Sequence, residues 1–273
     1  MNAALHERRA QASDYEQFAR LFPELGTGDP VPARARWEEE MLPATIFLER
    51  DGEIVAYGYT QALKGIGYVR HVIVAPGERG KGVGGVLMRA LGRQLARAGC
   101  MSWCLNVKPD NEPGIRLYSS SGMRVAYAST AFGLGWDVLA RLPREIEAPA
   151  VHGIEPADDA AIEATFGLPT GQIADVRARG GRVLLRLATS EGLGGFACFD
   201  PNFPGSFPFR VARPSLAVHL LEAIRLHARP EHDHTGVVVE DAPALRDALI
   251  AAGAVVRFEM LHMKGPIPAE LGP

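Results

Sequence analysis

The stretch Val74-Ala75-Pro76-Gly77-Glu78-Arg79-Gly80-Lys81-Gly82-Val83-Gly84-Gly85 constrains this chain more than any other part of it. It joins a β-branched run, Tyr68 to Val74, to a helical pattern that starts at Val83. Val83, Val86, Leu87, Ala90, Leu91 and Leu95 fall on one face of that helix, with Arg89, Arg93 and Arg97 on another, and Gly99 ends it. The five glycines at 77, 80, 82, 84 and 85 let backbone N–H groups converge on an anion with no side chain in the way. The helix that follows adds its unpaired amides and the positive end of its dipole. A pyrophosphate fits such a loop, and Arg79 and Lys81 can add charge toward it.

Two other phosphate-loop readings are weaker. Gly80, Gly82 and Gly85 satisfy G-x-G-x-x-G, but in a dinucleotide fold the strand runs almost directly into the first glycine, whereas here Ala75 to Arg79 intervene. That fold also places an acidic ribose ligand at the end of the next strand, and Leu105-Asn106-Val107-Lys108 offers none. A Walker loop needs Gly-Lys followed by Ser or Thr, and Lys81 is followed by Gly82.

Around the loop the chain alternates helix and strand signals. Residues 13–22 and 33–41 read as helices. Thr45–Glu49 and Ile54–Tyr59 flank an Asp51-Gly52 hairpin signal, so with Tyr68–Val74 they predict three antiparallel strands. Met101–Val107 reads as a strand, Asn111–Ser121 as a helix and Met123–Thr130 as a strand. A polar, proline-punctuated segment, 144–150, predicts a linker between domains 1–143 and 151–273.

Beyond it the order of elements recurs, with helix signals at 156–166, 215–227 and 242–252 and strands at 182–187, 195–199, 207–211, 236–240 and 255–263. This predicts a diverged internal duplication. The segment matching the glycine loop, Ala212-Arg213-Pro214-Ser215, has no glycine, so one site is expected per chain.

Composition sets the outer limits. With 47% hydrophobic and 22% charged residues and a net charge of −3, the chain has no global attraction for nucleic acid or acidic membranes. No run approaches the ~20 apolar residues of a membrane span. Cys100, Cys104 and Cys198 are too few and too irregular for a disulfide framework, which fits a reducing cytoplasm. His232-Asp233-His234 has no third ligand in sight and is expected to bind no metal. A cytoplasmic monomer or homodimer is expected.

At Arg79, Gly82 and Gly84, preceded by a strand and Pro76, the sequence resembles the GNAT superfamily of N-acetyltransferases, whose signature is Arg or Gln, any two residues, Gly, any residue, Gly or Ala. Asn106 to Met123 is similar to that family's second cofactor segment, with Tyr118 to Gly122 matching Tyr-x-x-x-Gly and Met123 in place of the usual aromatic. The resemblance covers residues 5–140; for 150–273 it rests on element order. It implies an α/β fold of two GNAT-like domains, each a mixed, mainly antiparallel sheet flanked by helices, the second degenerate.

The resemblance further implies acetyl-CoA held where two neighbouring parallel strands splay apart. Val72, Ile73 and Val74 would meet the acetyl and pantetheine parts. Arg79, Gly80, Lys81, Gly82, Val83 and Gly84 would hold the pyrophosphate, Asn111 the pantetheine arm, and Tyr118 would lie beside the departing sulfur.

The acceptor is expected to be a small-molecule or peptide amine. Acyl transfer needs a neutral amine, support for the oxyanion and a proton for the leaving thiolate. Tyr118 is the candidate acid. Many relatives carry a glutamate on the strand before the loop, but Tyr68 to Val74 has no carboxylate. His71 takes the nearest place as base, the alternative being water-mediated deprotonation with help from Glu53 or another distant group. Arg70 beside it either holds an acidic substrate group or faces solvent. An acetyl-CoA sensor without turnover is the competing reading.

Overall fold

A computed structural model describes residues 4–26, 30–63, 65–178, 180–202 and 204–272. In chain order the first elements are β1 (His6–Arg9), α1 (Tyr15–Leu21), α2 (Arg34–Arg36, continued by a π-helical turn Trp37–Met41), β2 (Thr45–Arg50), β3 (Glu53–Leu63) and β4 (Ile66–Val74). Next come α3 (Val83–Arg97), β5 (Ser102–Val107), α4 (Glu112–Ser120) and β6 (Arg124–Gly135). The remainder comprises β7 (Ala150–Gly153), α5 (Asp159–Phe166), α6 (Gln172–Ala178), β8 (Val183–Thr189), β9 (Gly192–Asp200), β10 (Gly205–Val211), α7 (Ala217–Arg225), β11 (His234–Glu240), α8 (Pro243–Ala251) and β12 (Val255–Pro266).

Two compact units result, 1–127 with 260–273 and 128–259. The division departs from the expected cut at 144–150. Arg144 and Glu145 of that segment are tied into the second unit by ion pairs to Glu222 at 2.5 Å and Arg213 at 2.8 Å. The ends of two long strands decide the rest. Residues 129–135 of β6 pair with β11 in the second unit, and residues 261–266 of β12 pair with β5 in the first. A strand goes where its ladder hydrogen bonds are satisfied, and sequence proximity to a linker does not fix that.

In the first unit β1, β2, β3 and β4 form an antiparallel run, β5 adds parallel to β4, and the 261–266 segment adds antiparallel to β5. The second unit repeats this plan with β7, β8, β9, β10, parallel β11 and the 129–135 segment. Each is thus a mixed, mainly antiparallel sheet with helices, as the resemblance implied. In the second sheet Phe199 and Phe209, on either side of a stretch holding Pro201, Pro204 and Pro208, are buried, Phe207 is exposed, and Phe203 lies outside the described residues.

Local chemistry explains the elements that carry the site. Asp51 and Gly52, with φ of 53° and 80°, make the β2–β3 turn of the kind whose twist suits a hairpin. The apolar stripe of α3 buries Val83, Leu87, Leu91 and Leu95, each gaining about 2 kcal/mol from removal from water. Gly58 of β3 makes the close approach possible, since a Cβ there would lie 2.6 Å from a Leu91 methyl that is itself fully buried.

The two faces of this sheet bury different cores. One, with Val72, Val83, Leu87, Leu105, Tyr118 and Met123 among its members, lies under α3 and α4. The other is aromatic and joins Phe18, Phe22, Trp37, Phe47, Tyr57, Tyr59 and Ile73.

Candidate active site

The strands β4 and β5 begin side by side and then part. Their parallel pairing covers Ile66 with Ser102, Gly67 with Trp103 and Tyr68 with Cys104, yet β4 runs on to Val74 and β5 to Val107. Each stays paired on its outer side, Val72 to Gly58 and Val74 to Ala56 on β3, and Leu105 to Met263 and Val107 to Leu261 on the 261–266 segment. A wedge therefore opens between them, and its two inner edges offer backbone groups that no ladder uses among the described residues. Val72, Ile73 and Val74 lie on one of those edges. The Val74 carbonyl takes the Arg79 Nε at 3.1 Å.

The loop closes the wide end of the same strand. Gly80 and Gly82 have φ of 76° and 79°, and Gly82 is the residue that caps α3. This left-handed geometry turns successive N–H groups to one side, which a residue with a Cβ resists. Gly85 and Val86 donate back to the Gly82 carbonyl at 3.1 and 3.3 Å. The amides of Val83 and Gly84 have no partner within the helix and sit at the positive end of a 15-residue dipole.

The loop's cations are already engaged. Arg79 bonds Glu24 at 2.6 Å, and Lys81 lies 3.0 Å from Glu78, which also pairs with Arg50. Arg79 and Lys81 are both about half exposed, so these pairs are weak and reversible. The fixed part of the candidate anion site is backbone; the side chains are adjustable.

Asn111, at the start of α4, accepts the Gly114 N–H on its Oδ1 at 3.0 Å and so serves as the helix cap, leaving its side-chain NH2 as the group able to reach a ligand. Leu117 of α4 stands 3.0 Å from where a Gly84 Cβ would be, which brings α4 against the start of α3. The next residue, Tyr118, is buried in the core under those two helices. Burial pushes its phenol up to about 12. No backbone group among the described residues holds its hydroxyl. Gly122, with φ of 89°, ends α4, and Met123 follows it into the same core.

His71 lies on the other face of β4. Its ring meets Phe22, Tyr57 and Tyr59 edge-on at centroid distances of 5.6, 5.9 and 5.4 Å, and its Nδ1 is 3.3 Å from the Tyr57 hydroxyl. Burial drives the Tyr57 phenol far above its usual range, so it remains a neutral partner. The aromatic surroundings of His71 escaped the sequence reading, although Tyr57 and Tyr59 at alternating positions one strand away were the available signal. Glu53 starts β3 beside the hairpin turn, six residues from Tyr59, which at about 3.3 Å per residue puts it about 20 Å along the strand from His71. It is not part of this arrangement. In the second unit His234 pairs with the neighbouring Asp233 at 2.7 Å, and among the described residues no group of three or more His, Cys, Asp or Glu is placed to hold a metal.

The second unit also parts its parallel strands, β10 and β11, after Ser206 and Val237. In place of the glycine loop it has Arg213 bound to Glu145 and Glu191, followed by a turn at Pro214–Leu216 into α7.

Residues 13–123 match the model of the acetyltransferase (GNAT) family. Comparison with curated proteins gives no match. The fold of the whole chain is similar to that of a GCN5-related N-acetyltransferase from Sphaerobacter thermophilus, at 17% identity, 96% coverage of both chains and a TM-score of 0.68. It is also similar to a tandem GNAT protein from the clavulanic acid biosynthesis pathway, at 17% identity, 99% coverage of both chains and a TM-score of 0.56. A GCN5-related N-acetyltransferase from Kribbella flavida gives 15% identity over 96% of this chain and 71% of that one, with a TM-score of 0.56. Identities this low speak for fold, and the family match speaks for the first unit. Residues 13–123 are therefore an acetyltransferase domain of the GNAT family.

Proposed function

We propose that the first unit binds one acetyl-CoA and transfers its acetyl group directly to a primary amine of a small molecule or peptide. The observation that carries this reading is the parting of β4 and β5 beside a helix end with free amides, which offers an extended slot for a pantetheine arm and an anion site at its end. In the proposed step the amine nitrogen attacks the thioester carbonyl, the C–S bond breaks, the amine gives up a proton and the sulfur leaves as thiolate. A β4 amide in Val72 to Val74 supports the oxyanion. His71 takes the amine proton at Nε2, which requires Nδ1 to keep its hydrogen and donate it to the Tyr57 oxygen. The Tyr118 hydroxyl donates a hydrogen bond to the departing thiolate.

The absence of a carboxylate on Tyr68 to Val74 suits a protein that binds acetyl-CoA without turnover, and one assay separates the two. Free thiol is measured while the protein and acetyl-CoA are incubated with amino acids, aminoglycosides, polyamines and peptides. Acceptor-dependent release is expected with at least one class. Binding of acetyl-CoA without release from any of them would leave the sensor.

A further inference from the structure

The face of the first sheet that carries His71 continues sideways as an unusual surface. Gln61 pairs with Tyr68 in register, so Tyr57, Tyr59, Gln61, Tyr68 and His71 all project to one side, and Cys104 is the β5 partner of Tyr68 at the last pair before the strands part. On β5 and the 261–266 segment the next positions on this side are Asn106, His262 and Lys264, since Leu105, Val107 and Met263 point into the opposite core. The side chains are braced. His262 stacks on Tyr127 at 4.6 Å and 13° and its Nδ1 is 2.9 Å from the Asn106 Oδ1.

Arg70 is the most defined group on this surface. Its guanidinium carbon lies 3.8 Å over the Tyr68 ring, and its Nε donates to the Gln61 Oε1 at 2.7 Å. The plane and one donor are thereby fixed, while the two terminal nitrogens hydrogen-bond nothing among the described residues. That is the geometry of a fork held ready for a carboxylate. Lys264 is exposed on the same side.

Arg70 stacks on Tyr68, the strand partner of Cys104, and Lys264 is the partner of Cys104 on its other side; burial raises the Cys104 thiol to about 11 against the pull of both cations. Neither cation pairs with a carboxylate among the described residues. Glu40, whose carbonyl meets the Tyr59 hydroxyl at 3.5 Å, has its own carboxylate on Arg36 at 3.1 Å. An oriented guanidinium with no carboxylate partner among the described residues, and an exposed ammonium on the same face, beside the opening of the wedge and on the face of the candidate base, call for an anion on the acceptor.

We propose that this face binds the acceptor and that the acceptor is a small amine bearing a carboxylate, an amino acid or close analogue, with the carboxylate on Arg70 and Lys264 and the amine turned toward His71. The proposal rests on the acetyl-transfer reading and names its substrate class. It also assigns Arg70 a specificity role that is separate from the chemistry.

The test compares amino acids with their own carboxamides as acceptors, reading kcat/KM by thiol release. A carboxylate preference of about 10- to 100-fold is expected, the range for a charge-assisted hydrogen bond. The carboxamide's amine is the more easily deprotonated of the two, so the preference cannot come from amine reactivity. Arg70→Gln is expected to bring the ratio close to one, mainly through KM, and Lys264→Gln to reduce it in part. Because the readout is a ratio within one protein, a general loss of activity does not mimic the effect. Thiol release with equal use of acid and amide, or a ratio that survives Arg70→Gln, overturns this inference alone. Acetyl-CoA binding with no release in the presence of any amine overturns the acetyl-transfer reading and this inference with it.

Discussion

Gly82→Asp is expected to raise the Kd for acetyl-CoA by at least about 100-fold while leaving the protein folded. The two halves of this result have separate causes. Gly82 has φ of 79°, and a side chain there costs about 1–2 kcal/mol of backbone strain, less for aspartate than for most residues. Space is not a problem, since a Cβ at Gly82 meets nothing within 4 Å. Gly82 is also the N-cap of α3, where an aspartate returns about 1 kcal/mol by accepting first-turn amides and facing the positive end of the dipole. Strain and cap nearly cancel, so the thermal midpoint should shift by a few degrees at most.

Binding has no such compensation. The new carboxylate would occupy the Val83 and Gly84 amides and repel a pyrophosphate, and about 2.8 kcal/mol suffices for the 100-fold loss. Gly82→Ala, which brings the strain without the charge, should weaken binding much less. Titration of both variants with acetyl-CoA, alongside thermal melting, checks the pair. Normal affinity in a folded Gly82→Asp protein would remove this loop from the cofactor site.

Tyr118→Phe is expected to lower kcat by about 10- to 100-fold with the acetyl-CoA affinity within about twofold of the parent. The pKa decides how the tyrosine acts. A phenol pushed up to about 12 is a far weaker acid than a thiol of ordinary pKa near 8.5, so complete transfer of its proton to the thiolate is uphill by roughly 5 kcal/mol. On the proposed mechanism the hydroxyl therefore acts mainly as a hydrogen-bond donor to sulfur as negative charge develops there. Such a bond to a charged group contributes about 1.5–3 kcal/mol, which gives the stated range in rate.

The same shift fixes the pH behaviour. Burial disfavours the charged phenolate, so the hydroxyl stays protonated from pH 7 to beyond the ordinary tyrosine value of about 10. Tyr118→Phe should then scale the whole kcat profile between pH 7 and 9.5 without changing its shape. An unaltered kcat would take Tyr118 out of the chemistry.

What the sequence disclosed follows from how local each signal is. The loop at 79–84, the cap at Asn111 and the position of Tyr118 are written in short spacings, and the Asp51-Gly52 hairpin and the α3 stripe likewise. Strand β1 carries no such sign: His6-Glu7-Arg8-Arg9 is polar throughout, and it is a strand because it pairs with the edge of β2 and because Arg8 is held by Glu49 at 2.5 Å and Asp14 at 2.6 Å. Strand β7 is four residues long and merges into the proline-rich segment taken for a linker. Helix α6 owes its place partly to Glu163, whose buried carboxylate accepts the Gly171 and Ile173 amides, a bond invisible in the local pattern.

On the proposed acceptor face, His262 and Lys264 could not have been joined to Arg70 by reading the chain. They arrive through a strand pairing between β5 and the C-terminal segment, about 155 residues apart, and the register of that pairing decides which side chains share a face. The aromatic ring around His71 is intermediate, since its tyrosines lie one strand away but Phe22 comes from the turn after α1.

The central claim is that one acetyl-CoA binds per chain, at the glycine loop of the first unit, although the second unit repeats the fold and parts its own parallel strands. Calorimetric titration of acetyl-CoA into the full-length protein measures this directly. A single site with a stoichiometry near one per chain is the expected result. Two sites per chain, or no binding at all, would contradict it.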